Sequence, residues 1–381
     1  MKISLSHDTV SQDDLEKLIT WLRTNPRLTQ GEKVKEFEAA FAKKVGSRYA
    51  VYVNSGSSAN LIMLYALKVM GKLPKNRVAL PAICWATDLA PLIQFGIEPV
   101  LLDVAPGLVQ DDFTLSRMRD CDAFLCVSAL GFVEDYGLIR AICNDYGVTL
   151  VEDACESLGS KYSNSYVGTM GLMGTFSFYF SHHISTIEGG MVVTDDEECY
   201  TVLKMLRSHG WSRDIDPARA GMLKTVFGVS DFNEKFTFYL PGFNVRGTDL
   251  QAMLGLEQLA KLDGLVQTRN ENYYHYEKYM PRDLKLTRGD YSKGYLSNFG
   301  FPIASKNRNA IAKALSDGGV ECRPLISGSM ALQPMWRHYV NKKTDTRYAD
   351  SLTDTGMYLP NHGGMGEKEV KYICNIVEKV I

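Results

Sequence analysis

Residues 123–153 read AFLCVSALGFVEDYGLIRAICNDYGVTLVED, and this stretch decides the fold. Two short apolar runs, AFLCVSA (123–129) and VTLVED (148–153), flank YGLIRAICNDYG (136–147), which has a helical pattern. Runs apolar at successive positions suit strands buried on both faces, and helices between such strands make a mostly parallel sheet with covered faces. The same alternation extends towards the N-terminus. YAVYV (49–53) leads to a helix over about 57–70, RVALP (77–81) to another near 86–95, and EPVLLDV (98–104) follows. Two amphipathic helices come first. Leu15, Leu18, Ile19 and Leu22 mark one that Ser11 can cap, and Val34, Phe37, Phe41 and Val45 mark one that Gly46 ends.

Towards the C-terminus, TFSFYF (175–180) and GGMVVTD (189–195) read as neighbouring strands joined by Ser181-His182-His183. The pattern then changes to a helix, an irregular stretch over 212–246, and a helix near 248–262. The remainder mixes helices, such as 308–317, with short strands, such as 297–302. The expectation is an α/β chain whose residues 1–246 form an N-terminal arm and large domain. Residues 247–381 then supply a linking helix and a small α+β domain.

With 381 residues, 45% hydrophobic and 23% charged, the chain has enough apolar surface for such a core. A net charge of −2 argues against a nucleic-acid binder, which carries a basic stripe. MKISLSHDTVSQDD lacks the apolar centre of a secretory signal, and prolines and Asp88 interrupt the most apolar region, 78–104. Eight scattered cysteines form no CxxC pair and suit a reducing compartment. A cytoplasmic protein without a membrane partner is expected.

Three short stretches carry chemistry. VNSGSSAN (53–60) follows a strand and opens a helix, whose N-terminal N–H groups bind anions, and Gly56 permits close approach. No GxGxxG occurs there and no GxxxxGK[ST] occurs in the chain, so the phosphate of a small cofactor fits better than a dinucleotide. VEDACES (151–157) puts Asp153 at the carboxyl end of a buried strand, where ligand sites of open α/β sheets lie. A carboxylate there either caps a helix or holds a proton on a ring nitrogen, as pyridoxal phosphate (PLP) requires. The pair His182-His183 is the third. Zinc would need about four converging ligands, and no local Cys or carboxylate spacing supplies them. In an extended segment neighbouring side chains face opposite sides, so only one histidine is expected to face a site.

The ordered set SGSSAN, EDxxES, SFxxSHH, EGGMVVT, RSHGW and PGFNVR resembles the DegT/DnrJ/EryC1/StrS sugar aminotransferases, PLP enzymes of aspartate-aminotransferase (type I) fold. The likeness runs from the N-terminal arm to GVECRP (319–324). In that family a lysine follows the small residue of the SFxxS/T segment and links covalently to PLP. His182 stands there instead, and no lysine lies between Lys161 and Lys204. The exchange resembles the family's C-3 dehydratase branch. It implies a reaction that deoxygenates GDP-4-keto-6-deoxy-D-mannose, a precursor of colitose-type dideoxysugars of lipopolysaccharide O-antigens. L-glutamate would be the amino donor, the cofactor would alternate between PLP and pyridoxamine phosphate (PMP), and ammonia and 2-oxoglutarate would be released.

The resemblance also implies residue roles. Asp153 would pair with the pyridine nitrogen, Trp85 would stack on the ring, and Glu156 would lie near the ring substituents. Gly56, Ser57 and Ser177 would hold the phosphate, joined by Asn244 from the second subunit of a homodimer. His209 and Arg213 would lie near the substrate or the amino-donor carboxylate. Imidazole cannot form the covalent link, but with an unperturbed pKa near ~6.5 it moves protons as base and acid. His182 is therefore the candidate catalytic residue, and His183 a packing or hydrogen-bonding support. A related branch carries an iron–sulfur cluster and needs a reductase; no cysteine occurs between Cys199 and Cys322, which argues against both. A 4-aminotransferase using another lysine, and a catalytically silent PLP-fold binding protein, stay open as alternatives.

Overall fold

The computed structural model describes residues 1–286 and 294–381. In its first half, α1 (Gln12–Leu22) and α2 (Glu32–Val45) precede β1 (Tyr49–Val53), α3 (Gly56–Val69), β2 (Arg77–Pro81), α4 (Ala86–Gln94) and β3 (Glu98–Leu102). Then come α5 (Asp112–Leu115), β4 (Ala123–Val127), α6 (Tyr136–Tyr146), β5 (Thr149–Asp153), the hairpin β6 (Lys161–Tyr162) and β7 (Ser165–Tyr166), β8 (Gly174–Ser177) and β9 (Gly190–Thr194). The second half contains α7 (Glu197–Arg207), α8 (Pro217–Val226), α9 (Asp249–Tyr279), β10 (Gly294–Tyr295) and β11 (Gly300–Ala304). It ends with α10 (Arg308–Asp317), β12 (Arg323–Pro324), α11 (Arg347–Thr355), β13 (Gly356–Pro360) and α12 (Glu367–Glu378).

The main sheet has seven strands in the order β1-β9-β8-β5-β4-β2-β3. Strands β3, β2, β4, β5 and β8 run parallel, and β9 is antiparallel to both β8 and β1. This is the mixed, mostly parallel sheet of the expected α/β class. Its strands are apolar at nearly every position because helices cover both faces: β4 and β9 are buried throughout. A second sheet, β11-β13-β12, is antiparallel and lies in the C-terminal part.

Helix α9 joins the parts. Its 31 residues extend well past the expected end near Leu262, and Arg269, Asn272, Tyr273 and Tyr276 of the extension are buried. At its start, Asp249 accepts hydrogen bonds from the backbone N–H groups of Gly31 (2.6 Å), Lys33 (2.8 Å) and Val34 (3.2 Å). The first turn of α2, whose own N-cap Gly31 has no side chain, is thus satisfied from another element. The N-terminal residues also meet the C-terminal part, where Ile3 bridges Val320.

Two local expectations change. The stretch 212–246 contains α8, which starts with Asp216 as N-cap and Pro217 in the first turn, a recognisable start signal. The TFSFYF strand stops at Ser177, the last residue paired with β9. Phe178 turns into the core against Phe37 and Phe41, and the histidines that follow sit in a turn, not an extended segment.

Candidate active site

The parallel strands deliver their carboxyl ends to one edge of the sheet, where α3 and α4 begin. A cavity of about 460 Å³ opens there. Ser55, Gly56, Ser57 and Asn60 line it from the start of α3, and Trp85, Thr87 and Asp88 from the start of α4. Ser128, Asp153, Cys155 and Glu156 come from the ends of β4 and β5. Ser177, Tyr179, Ser181, His182 and Glu188 come from the end of β8 and the segment joining it to β9, and Phe299, Ile326 and Tyr358 from the C-terminal part. No lysine lines it.

One end suits an anion. Ser55 caps α3, its hydroxyl accepting from the Ser58 N–H at 3.0 Å, which leaves the N-terminal N–H groups next to the cavity. A Cβ on Gly56 would sit 2.6 Å from the Cβ of Ser177 and 3.0 Å from the sulfur of Cys155. Glycine is required here because the helix start is pressed against β8, which brings Ser57 and Ser177 to the same corner.

The centre suits a flat, protonated ring. Asp153 is almost fully buried; its Oδ1 accepts from the Cys155 N–H (2.8 Å) and its Oδ2 from the Asn60 amide (2.5 Å). Trp85 is 56% exposed and yet lies on the cavity wall, so it offers a ring face and is not core. A carboxylate for a ring nitrogen, an aromatic face and a helix-start anion corner together fit a phosphorylated pyridine such as PLP.

His182 forms the wall at the third side. Its N–H donates to the Tyr179 carbonyl (2.9 Å), closing a turn, and its carbonyl accepts from Arg269 (3.2 Å). Arg269 also donates to the carbonyls of Asn298, Phe299 and Asn361, so one guanidinium from the extension of α9 anchors the histidine turn to the C-terminal part. The ring packs edge-on to Phe299 (5.1 Å) and Tyr179 (6.0 Å). Its Nδ1 is buried and meets no hydrogen-bond partner among the described residues. Burial and then the Arg269 charge push the imidazole down to about 4, against the upward pull of Asp153. The site therefore holds a neutral imidazole, the form that can accept a proton.

His183 turns away. It is 1% exposed, and its Nε2 lies 2.8 Å from the Ser297 carbonyl oxygen. The neighbours diverge because a turn separates them, whereas the sequence argument relied on extended backbone. Glu156 accepts from the Leu130 N–H at 2.7 Å, and burial pushes its carboxyl up to about 7.

Three expected residues are not brought to this cavity within the chain. Asn244 is exposed and bridges Ser208. His209 packs against Trp211 with ring centres 5.0 Å apart. Arg213 lies 3.9 Å from the Trp211 ring centre, donates to the Lys235 carbonyl, and lines a separate cavity of about 540 Å³ with Arg48, Lys204 and Arg207. Conversely, sequence reasoning assigned no role to Asn60, Asp88, Tyr179, Arg269, Phe299 or Tyr358. Asn60 stood inside SGSSAN and Asp88 inside the apolar region 78–104, but Arg269 lay beyond the helix end expected. Among the described residues there is no group of three or more His, Cys, Asp or Glu able to hold a metal, and no helix is long and apolar enough to cross a membrane.

Comparison with known proteins adds to this geometry. The pattern of the DegT/DnrJ/EryC1/StrS aminotransferase family matches residues 9–378. The chain is 35% identical to the GDP-4-keto-6-deoxy-D-mannose 3-dehydratase of Escherichia coli O55:H7, over 96% of this chain and 97% of that one. Among solved structures it resembles a histidine-to-asparagine mutant of GDP-4-keto-6-deoxymannose-3-dehydratase with bound GDP-perosamine, with a TM-score of 0.90 and 33% identity over 99% and 100% of the two chains. It also resembles that enzyme with a trapped PLP-glutamate geminal diamine, with a TM-score of 0.87 and 33% identity over 99% and 100% of the chains.

Proposed function

The chain belongs to the DegT/DnrJ/EryC1/StrS aminotransferase family, and from that premise we infer that it is a PLP-dependent lyase removing the C-3 hydroxyl of GDP-4-keto-6-deoxy-D-mannose. The observation that carries the reading is His182. It stands on the wall of a cavity that has the fittings for PLP and, among the described residues, no lysine.

The net reaction balances without a further reductant. L-glutamate loses two electrons and its amino group, giving 2-oxoglutarate and ammonia. The sugar takes up those electrons at C-3 as its hydroxyl leaves, giving GDP-4-keto-3,6-dideoxymannose. Bound PLP or PMP supplies the electron sink that makes the carbon acids on either substrate reactive. Asp153 would hold the ring nitrogen and favour its protonated form. Gly56, Ser57 and Ser177 would hold the phosphate at the start of α3. Trp85 would stack on one face of the ring. His182, neutral at the working pH, takes a proton from carbon and returns it as an acid. Glu156, raised to about 7 by burial, would lie beside the ring substituents, where it can hold or release a proton near neutral pH.

A cytoplasmic homodimer with shared sites accounts for the residues that stand apart. Asn244 is exposed and would reach a phosphate across a two-fold interface, and His209 and Arg213 lie on the segment that Ser208 bridges to Asn244, where they would meet the sugar or the glutamate carboxylate of the partner's site.

The test incubates purified protein with PLP, L-glutamate and GDP-4-keto-6-deoxymannose and follows ammonia and sugar mass together. Ammonia released in step with a sugar lighter by one oxygen supports the reading. A stable amino sugar without ammonia refutes it in favour of transamination, and cofactor binding without glutamate consumption refutes catalysis.

A further inference from the structure

Below the ring-nitrogen carboxylate lies a second buried one. Asp88 is 0% exposed, sits one turn into α4, and has its own edge on the cavity. Its Oδ2 accepts from the Trp85 N–H at 2.8 Å, and its Oδ1 from the Asn60 amide at 2.9 Å. The same Asn60 nitrogen donates to Asp153 at 2.5 Å, and its oxygen accepts from the Thr175 hydroxyl at 2.6 Å. Asn60 thus has one orientation that satisfies every partner: nitrogen towards the two carboxyls, oxygen towards Thr175. Turning the amide round would set its oxygen against both carboxyls. Burial and the neighbouring Asp153 push the Asp88 carboxyl well above its ordinary range, as expected where two carboxyls share one amide. A buried polar group in such a network costs free energy unless each member has its partner.

Resting on the PLP reading above, we propose that Asp88 is a positioning residue for the cofactor. Through Asn60 it holds Asp153 against the ring nitrogen, and through the Trp85 N–H it fixes the start of the helix that presents the stacking indole. One carboxyl therefore sets two contacts to the same ring without touching it. A purely structural Asp88 would cap α4 and nothing more.

The experiment measures the dissociation constant and absorbance spectrum of PLP on the intact wild-type protein and on Asp88→Ala, Asn60→Ala and the double variant, with circular dichroism to confirm folding. The expected result is a loss of affinity of about tenfold or more in each single variant, with an altered spectrum of the bound cofactor. The double variant should lose no more than Asp88→Ala alone, because removing Asp88 already breaks the route through Asn60 as well as the one through Trp85. Asp88→Asn is the second probe should Asp88→Ala fail to fold. Its amide cannot accept from both Trp85 and Asn60, so weakened binding and a changed spectrum are expected there too. Folded variants with affinity within about twofold of wild type, or losses that multiply in the double variant, overturn the relay. Wild-type protein that binds no PLP overturns the cofactor reading along with it, so the two failures are distinguishable.

Discussion

Replacing His182 with lysine tests the assignment of the site at its centre. The imidazole is pushed from its ordinary 6.5 to about 4 by burial and by Arg269, which favours the neutral form by a factor of a few hundred. A lysine amine at that position would meet the same apolar wall of Phe299 and Tyr179 and the same guanidinium. Desolvation and like charge both favour its neutral, nucleophilic form. His182→Lys should therefore bind PLP covalently. After borohydride reduction and denaturation, cofactor should remain on the peptide containing residue 182 at close to one per chain, while wild type retains none there. Ammonia release with the keto sugar should fall by about 10²-fold or more, the range lost with a general acid–base group. The reasoning fails if the variant folds, saturates with PLP, and yet shows no label at residue 182. It also fails if wild type is labelled at a lysine, which would restore the aminotransferase reading.

Three further outcomes follow from the geometry. Gly56→Ala puts a Cβ 2.6 Å from that of Ser177, so it should cost about 1–3 kcal/mol and weaken PLP binding; a melting temperature and affinity equal to wild type would refute the tight corner. Glu38→Leu leaves Arg207 buried without its 2.5 Å carboxylate partner, and denaturant melts should show a loss of about 3–5 kcal/mol. His182→Asn should change the pH dependence of stability. The folded imidazole resists protonation down to about 4, so as pH falls below 6.5 the unfolded chain takes up a proton that the folded chain refuses. Wild type should lose stability relative to the variant across that window, by at most about 3 kcal/mol and by less where cavity water screens the ring; parallel stability curves would refute it. Glu156, pushed up to about 7, has the opposite sign, but it is common to both proteins and cancels in the difference.

The parallel half of the fold was legible because its signals are local. The run Thr149–Asp153 is buried on both faces, and α6 before it has an Asp cap and a glycine stop, so strand, helix and strand each show in the residues themselves. The length of α9 was not legible in the same way. Its extension is held by tertiary bonds, such as Arg269 to the carbonyls of Asn298 and Phe299 and Tyr276 to that of Pro360, rather than by an apolar stripe. The TFSFYF strand was read too long for a related reason. Alternation continues past Ser177, but pairing stops there, and pairing depends on where β9 starts.

The candidate site divides along the same line. Gly56 starts a helix, Asp153 and Ser177 end strands of the main sheet, and His182 stands in the segment joining two of its strands, so an ordered set of short motifs was enough to bring them to one cavity. Asp88 had no such mark. In sequence it is one polar residue in the first turn of a helix, where acidic residues are common for the helix dipole alone. What distinguishes it is a distance to Asn60, 28 positions away, and Asn60's second bond to Asp153, 93 positions further. The amide links two carboxyls that no spacing rule connects. The residues that meet a ligand through strand ends can be read from order, whereas those that act through another side chain need the fold before they have a partner at all.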